Sequence, residues 1–392
     1  MLEYWGCPLL VLQVQLYDLS QLANAKLSVK IITVKGKDRR FITGRFSRQD
    51  RKIIVILANT CRPDTVGQNI WISSFNAFYF YLMIRFRHLF LVVLSCVLVS
   101  SCGEPEQGTA TNAPEQPRDY SALNSRLDSI IGKVQANVGV AVISIPSGDT
   151  FSYHAHQRFP MFSTYKFPLA LKVLKLVDQG KLRLDQEVVI TTRELARYNH
   201  GIFLETHSTG KDITITVDSM IWYTMAYSDN VTCDKLFEIA GGPSAVHDYI
   251  SGLGISGIEI RNTVTEMNSL DAYKHNWCRP MAMTRLLAKF YNGDVVSDSN
   301  RSYLLQYMEA APTGANRLPG KLPAGTTVAH KTGTGGTRDG VTQGCNDVGI
   351  ISLPDGLQLA VSIYLSDVRL PVDSAAGVIA DIARAIYDDA AR

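Results

Sequence analysis

Apolar residues recur at helical spacing across Tyr120 to Ala136, where Leu123, Leu127, Ile130, Ile131 and Val134 fall on one stripe, so the pattern predicts an amphipathic helix. The period then changes. Val138 to Ile145 is rich in β-branched residues and reads as a strand, Pro146-Ser-Gly148 as a turn, and Thr150 to His156 as the returning strand of a hairpin. Further strands are expected only near the C-terminus: Thr327 to Lys331, then Asp347 to Leu353 and Leu357 to Leu365 around the turn Pro354-Asp-Gly356. Between these ends the pattern is helical. Helices are predicted over Phe167 to Val177, from about Val217 with a cap at Asp218 or its neighbours, over Val231 to Ala240 with a stop at Gly241-Gly242, and over Pro243 to Gly252. A last helix is expected over Ser374 to Asp388. Strands at both ends with helices between them predict an α+β fold, an α/β sandwich. One antiparallel sheet is assembled from both termini and flanked by helices, and an all-helical lobe is inserted into it.

The chain before this region reads differently. Met83-Ile-Arg85-Phe-Arg87-His88 is basic, Leu89 to Ser100 is apolar, and Ser101-Cys102-Gly103 is small, which is the make-up of a secretory signal peptide. Its Val99-Ser-Ser-Cys102 ending resembles a bacterial lipoprotein signal, in which the cysteine is lipidated and becomes the mature N-terminus. This predicts a periplasmic protein, lipid-anchored through Cys102, with Met83 as the natural start. Residues 1–82 carry no catalytic pattern and are read as an extension ahead of that start; a small added domain is the other reading of Lys35 to Lys52 and Trp71 to Tyr81. Residues 103–118 are rich in Pro, Glu, Gln and Thr without a hydrophobic period, so they are expected to be a flexible tether. Residues 119–392 then form the catalytic domain.

Composition narrows the function classes. Of 392 residues, 46% are hydrophobic and 19% charged, enough apolar content for a sizeable core. The net charge of +3 is spread rather than clustered, so no nucleic-acid partner is expected. The seven cysteines include no Cys-x-x-Cys pair, and no His or Cys group has ligand spacing; neither a metal nor a cofactor is expected. Cys233 reads as a small buried hydrophobe, while a Cys278 to Cys345 bridge is left open.

The chemistry is carried by three short motifs in order: Ser163-Thr-Tyr-Lys166, Ser228-Asp229-Asn230 and Lys331-Thr332-Gly333-Thr334. A serine needs a base within hydrogen-bond reach to become a nucleophile, and residues three apart on a helix share a face, which sets Lys166 beside Ser163. Lysine accepts a proton only when burial or a second cation lowers its pKa; Lys331 would be that cation. Ser-x-x-Lys alone is a weak signal, as the second copy at Ser208-Thr-Gly-Lys211 shows, and that copy reads as a solvated loop. Taken singly, Ser163 reads as a helix cap, Ser228-Asp229-Asn230 as a cap and helix start, and Lys331 to Thr334 as a strand end.

Together, the three motifs resemble those of class A serine β-lactamases and penicillin-binding proteins, over about Tyr120 to Asp388. Phe162-Ser-Thr-Tyr-Lys-Phe-Pro-Leu-Ala-Leu171, Ser228-Asp-Asn-Val-Thr-Cys-Asp234 and Asn276-Trp-Cys-Arg-Pro280 look like the divergent class A subgroup that includes broad cephalosporin-hydrolysing enzymes. In that subgroup an aspartate stands at the position of Asp234. The resemblance implies that Ser163 attacks a β-lactam amide, that Ser228 passes a proton to the leaving nitrogen, and that Asn230 holds the substrate's side-chain carbonyl. Asp229 would brace the loop. Lys331, Thr332 and Thr334 would bind the substrate carboxylate, and the backbone N–H groups of Ser163 and Thr334 would form the oxyanion hole.

The deacylating glutamate is where the match departs. The family carries Glu-x-x-Leu-Asn or Glu-x-x-Met, whereas this chain reads Arg261-Asn-Thr-Val-Thr-Glu266-Met267-Asn268. Matching on Met267 without a gap puts Val264 at the glutamate position. Glu266, the acidic residue of this stretch, is expected to share the proton traffic with Lys166 and to serve as the water-activating base after a small shift of the loop, with Asn268 helping to position the water. The rival readings are a penicillin-binding DD-peptidase, and a β-lactam-acylated sensor or binding protein that does not turn over. The expected partner is a small-molecule β-lactam, and the expected state a monomer.

Overall fold

The computed structural model describes residues 118–207, 210–268 and 271–392, together with a short pair of antiparallel strands, Lys52–Ile53 with Phe75–Asn76. The signal-like segment 83–102, with Cys102, and the tether up to residue 117 lie outside the described residues. The chain divides into two compact units, Met1–Ala113 and Pro114–Arg392. The site belongs to the second.

The second unit is organised by a sheet whose strand order is Thr327–Thr334, Val341–Ser352, Gln358–Val368, Asn137–Ser144 and Thr150–Tyr153, each neighbour antiparallel to the next. Strands from both ends of the unit do meet, with Leu359 opposite Ser144 and Leu365 opposite Val138. The reason lies in the alternation of side chains along a strand covered on both faces. Val138, Val140 and Val142 point into one apolar cluster with Leu123 and Leu127 of helix Ser121–Ile131 and Ile379, Ile382 and Ile386 of helix Val372–Ala390. Ala141 and Ile143 point the other way, into a cluster that contains Leu286, Leu287 and Phe290 of helix Pro280–Tyr291. Gly139 leaves room on that face, since a Cβ there would collide with the Phe159 ring and Pro280.

The inserted lobe is built on helices Lys166–Asp178, Val217–Ala226, Asn230–Ala240 and Gly242–Gly252. Its caps follow local chemistry. Thr216, a neighbour of Asp218, accepts from the Ser219 N–H, Asp229 accepts from the Thr232 N–H, and Gly241 ends its helix at φ 92°.

Several expected boundaries shift. The first helix stops at Ile131 because the chain turns at Gly132, leaving Val134 outside it. His154, at φ 47°, ends the second strand at Tyr153. Strands are also not confined to the ends: Glu187–Ile190 pairs with Ile213–Thr216 inside the lobe, where alternation in four-residue segments gave too short a pattern to read. The second Ser-x-x-Lys copy falls in the connection between those two strands; Ser208 and Thr209 lie outside the described residues, and Gly210 and Lys211 are exposed. Cys233, Cys278 and Cys345 are free and buried, so no Cys278 to Cys345 bridge forms. Burial pushes the Cys233 thiol up to about 12, which fits its reading as a small apolar group.

Candidate active site

Phe162 enters the site at φ 47°, a left-handed conformation that costs a non-glycine residue about 1–2 kcal/mol. Its ring stacks on Tyr273 at 5.3 Å, and the chain then winds through the 3₁₀ turn Phe162–Tyr165 into helix Lys166–Asp178. From Met161 to Leu171 every residue is buried except Ser163, which alone is partly exposed. The apolar neighbours anchor the turn and leave the hydroxyl-bearing residue at the surface of a cleft. Pro168 sits within the first turn of the helix, where its missing N–H costs nothing.

Lys166, fully buried, turns toward the second motif. Its ammonium donates to the Ser228 carbonyl at 2.6 Å, the Asn230 Oδ1 at 2.8 Å and the Asp229 carbonyl at 3.1 Å, and lies 3.5 Å from the Ser228 Oγ. Ser228 holds φ 58°, a second strained residue, which lets its carbonyl and hydroxyl face the lysine. Asp229 braces this loop, accepting from the Thr232 N–H at 3.0 Å and the Phe203 N–H at 3.2 Å. Burial lowers the Lys166 pKa below its ordinary 10.5, against the pull of Cys233, Asp229 and Asp234.

The third motif lies inside a strand rather than after it. Lys331 to Thr334 pairs with Val348, Asp347, Asn346 and Cys345, because strand Thr327–Thr334 runs three residues beyond its expected end. Lys331 is buried, and burial first, with Lys166 second, holds its pKa well below 10.5. Gly333 lets this strand press on the nucleophile turn: a Cβ there would lie 2.5 Å from the Met161 carbonyl oxygen and 3.2 Å from the Ser163 nitrogen. Thr332 is buried and donates to the Thr313 hydroxyl at 3.3 Å, while Thr334 is exposed to the cleft.

Two residues that the sequence did not single out tie these parts together. Arg317 donates to the Thr334 Oγ1 at 2.6 Å, the Asn346 carbonyl at 2.8 Å and the Gly333 carbonyl at 3.2 Å. Asn346 donates to the Pro160 and Met161 carbonyls at 2.9 and 3.2 Å and accepts from the Leu365 N–H, fastening the nucleophile turn to the sheet. Arg317 sits in an irregular Pro- and Gly-containing segment without a period, so only its tertiary contacts reveal it.

The loop from Arg261 to Asn268 is held at both ends. Asp234 accepts from the Val264 N–H at 2.6 Å, the Thr265 N–H at 3.0 Å, the Thr265 hydroxyl at 2.6 Å and the Tyr198 hydroxyl at 2.7 Å. Asn276 accepts from the Arg261 and Asn262 N–H groups at 2.7 and 2.9 Å. Glu266 is exposed, and its Oε2 accepts from the Thr263 N–H at 2.7 Å and the Thr263 hydroxyl at 2.9 Å, capping the 3₁₀ turn Glu266–Asn268. The structure thus gathers Ser163, Lys166, Ser228, Asn230 and Lys331 to Thr334, and has Glu266 holding its own loop at the solvent edge. Among the described residues no group of His, Cys, Asp and Glu could hold a metal ion.

A serine partly exposed on a strained turn, a buried lysine bonded to a second serine, and a further buried lysine on a strand edge define a serine hydrolase that works through an acyl-enzyme. The β-lactamase enzyme family matches residues 122–390, and the chain belongs to that family. It is 36% identical over 266 residues to the extended-spectrum β-lactamase PER-1 of Pseudomonas aeruginosa, covering 68% of this chain and 86% of the relative. It is 36% identical over 274 residues to a β-lactamase of Bacteroides uniformis, covering 69% of this chain and 92% of that one. Among solved structures, a β-lactamase from Chitinophaga pinensis superposes with a TM-score of 0.67 at 37% identity, covering 69% of this chain and 99% of its own. The extended-spectrum β-lactamase TLA-3 gives 0.68 at 34% identity, covering 70% and 100%.

Proposed function

We propose that this serine β-lactamase opens the amide of penicillins and cephalosporins from the periplasmic side of the membrane. The observation that carries the reading is the buried Lys166 ammonium, three residues along from Ser163 and in contact with Ser228, because it joins the nucleophile turn to the second serine motif. In acylation the Ser163 Oγ bonds to the lactam carbon and the ring C–N bond breaks. The serine proton passes to Lys166 in its neutral form and on through Ser228 to the ring nitrogen. The Ser163 and Thr334 N–H groups steady the oxyanion, Lys331, Thr332 and Thr334 take the substrate carboxylate, and Asn230 orients the side-chain carbonyl. In deacylation Glu266 would leave Thr263 to take a proton from the attacking water, with Asn268 helping to position that water.

Cys102 is proposed as the lipidated residue, and residues 103–118 as the tether of a monomer. The test mixes the full chain with a chromogenic cephalosporin and follows product and intact mass together. Hydrolysis through an adduct on Ser163, lost in Ser163→Ala, is the expected result. Product formed without any dependence on Ser163 would sink the proposal.

A further inference from the structure

We infer that hydrolysis of the acyl-enzyme, not its formation, limits turnover, because the carboxylates that act on Lys166 and the acid of the Arg261 to Asn268 loop are already engaged in hydrogen bonds that hold the fold. This rests on the acyl-transfer reading above and adds to it which half-reaction is slow. In that step the water oxygen bonds to the acyl carbon, the bond to the Ser163 Oγ breaks, and Oγ regains a proton. The proton that water gives up needs a base within hydrogen-bond reach.

The acidic groups around Lys166 are all in use. Asp229 and Asp234 are the carboxylates whose charge acts on Lys166. Asp234 accepts four hydrogen bonds, from Val264, Thr265 twice and Tyr198, which fills the acceptor sites of a carboxylate. Asp229 accepts from Thr232 twice and from Phe203, all needed to keep the Ser228 loop in its strained form. Asp347 serves His330 and the Leu318 N–H behind the sheet.

On the Arg261 to Asn268 loop the residues seated on Asp234 are Val264, half-buried against the apolar core, and Thr265, neither of which can act as a carboxylate base. Glu266 has Oε2 taken by Thr263. Acylation therefore finds Lys166 already in contact with Ser228, whereas deacylation has to take a carboxylate away from a structural bond. The two half-reactions share the Ser163 Oγ, as nucleophile in the first and leaving group in the second, but not a degree of preparation.

Rapid mixing of the full-length protein with a chromogenic cephalosporin, quenched for intact mass, tests this directly. A product burst of about one equivalent, followed by a slow phase in which most Ser163 carries the adduct, is expected. Val264→Glu, checked for folding by its melting curve, should speed the slow phase by about a hundredfold and empty the adduct pool, the usual worth of a positioned general base. Continuous turnover by the wild type with no adduct at steady state would overturn the inference while leaving the β-lactamase reading intact. A folded Val264→Glu variant that still accumulates adduct at the wild-type level would overturn the committed carboxylates as the cause of the slow step. Neither adduct nor product would instead overturn the acyl-transfer reading on which it stands.

Discussion

At the scale of single residues, the site is a pair of lysines whose proton affinity is set by where they are buried. Lys166, proposed as the base, can accept a proton only when neutral, and burial lowers its pKa below 10.5. The acylation rate should therefore climb with pH and level off below the ordinary lysine value; a burst rate that is flat with pH would contradict the role. Stability carries a linked sign. The folded state binds fewer protons at Lys166 and Lys331 than the unfolded chain does below pH 10.5, so their contribution to stability rises as pH rises toward that value. Lys166→Arg keeps the charge but cannot release the proton, and is expected to slow the burst by about 10²- to 10⁴-fold. Arg317 acts through Thr334. Arg317→Ala should reduce kcat/KM by roughly tenfold to a hundredfold, matching a charged hydrogen bond of about 1.5–3 kcal/mol, and a value within twofold of wild type would deny it that part.

At the scale of elements, caps and close contacts decide whether the lobe holds its shape. Thr191 and Glu194 form a capping box on the short helix Thr192–Leu195, and Lys235 of helix Asn230–Ala240 pairs with the same carboxylate at 2.8 Å. Burial opposes the charge, but Lys235 and Thr191 together hold the Glu194 pKa at about 2, below the usual 4.5. A depressed acid contributes stability that is present above pH 4.5 and is lost as pH falls toward 2. Thr191→Ala is expected to cost about 1 kcal/mol in urea melts at neutral pH, with the difference from wild type shrinking in acid.

The elements also show what could be read from the sequence. The helix starting near Val217, the one stopped by Gly241-Gly242, and the hairpins at both ends announced themselves through period, cap and turn residues. The strand pair Glu187–Ile190 with Ile213–Thr216 did not, because its strands are four residues long and separated by helices.

At the scale of the whole molecule, Pro114–Arg392 forms one of two compact units, and the family match of 122–390 falls within it. No helix among the described residues is long and apolar enough to cross a membrane. If Cys102 carries the anchor, Cys102→Ser should move the protein from the membrane fraction to the soluble periplasmic fraction without changing the acylation burst. Continued membrane association of that variant would refute the lipidation proposal.

Ser163, Lys166, Ser228, Asn230 and the Lys331 to Thr334 strand were legible in order along the chain because their local contexts, a helix start, a loop between helices and a strand, are short-range properties. The sheet built from both ends was legible for the same reason: alternation and turns are local, and few arrangements bury both faces. Arg317 and Asn346 were not, since they act across 16 to 186 residues of sequence separation and have no period of their own. Glu266 illustrates the limit most clearly. The chain order marked it as the acid of its loop, but its engagement with Thr263 depends on the path that Asp234 and Asn276 impose on that loop. Sequence alone determined which groups are available for the chemistry; the tertiary structure decided how each is engaged, because a carboxylate that holds a loop through hydrogen bonds gives part of that hold up when it takes a proton.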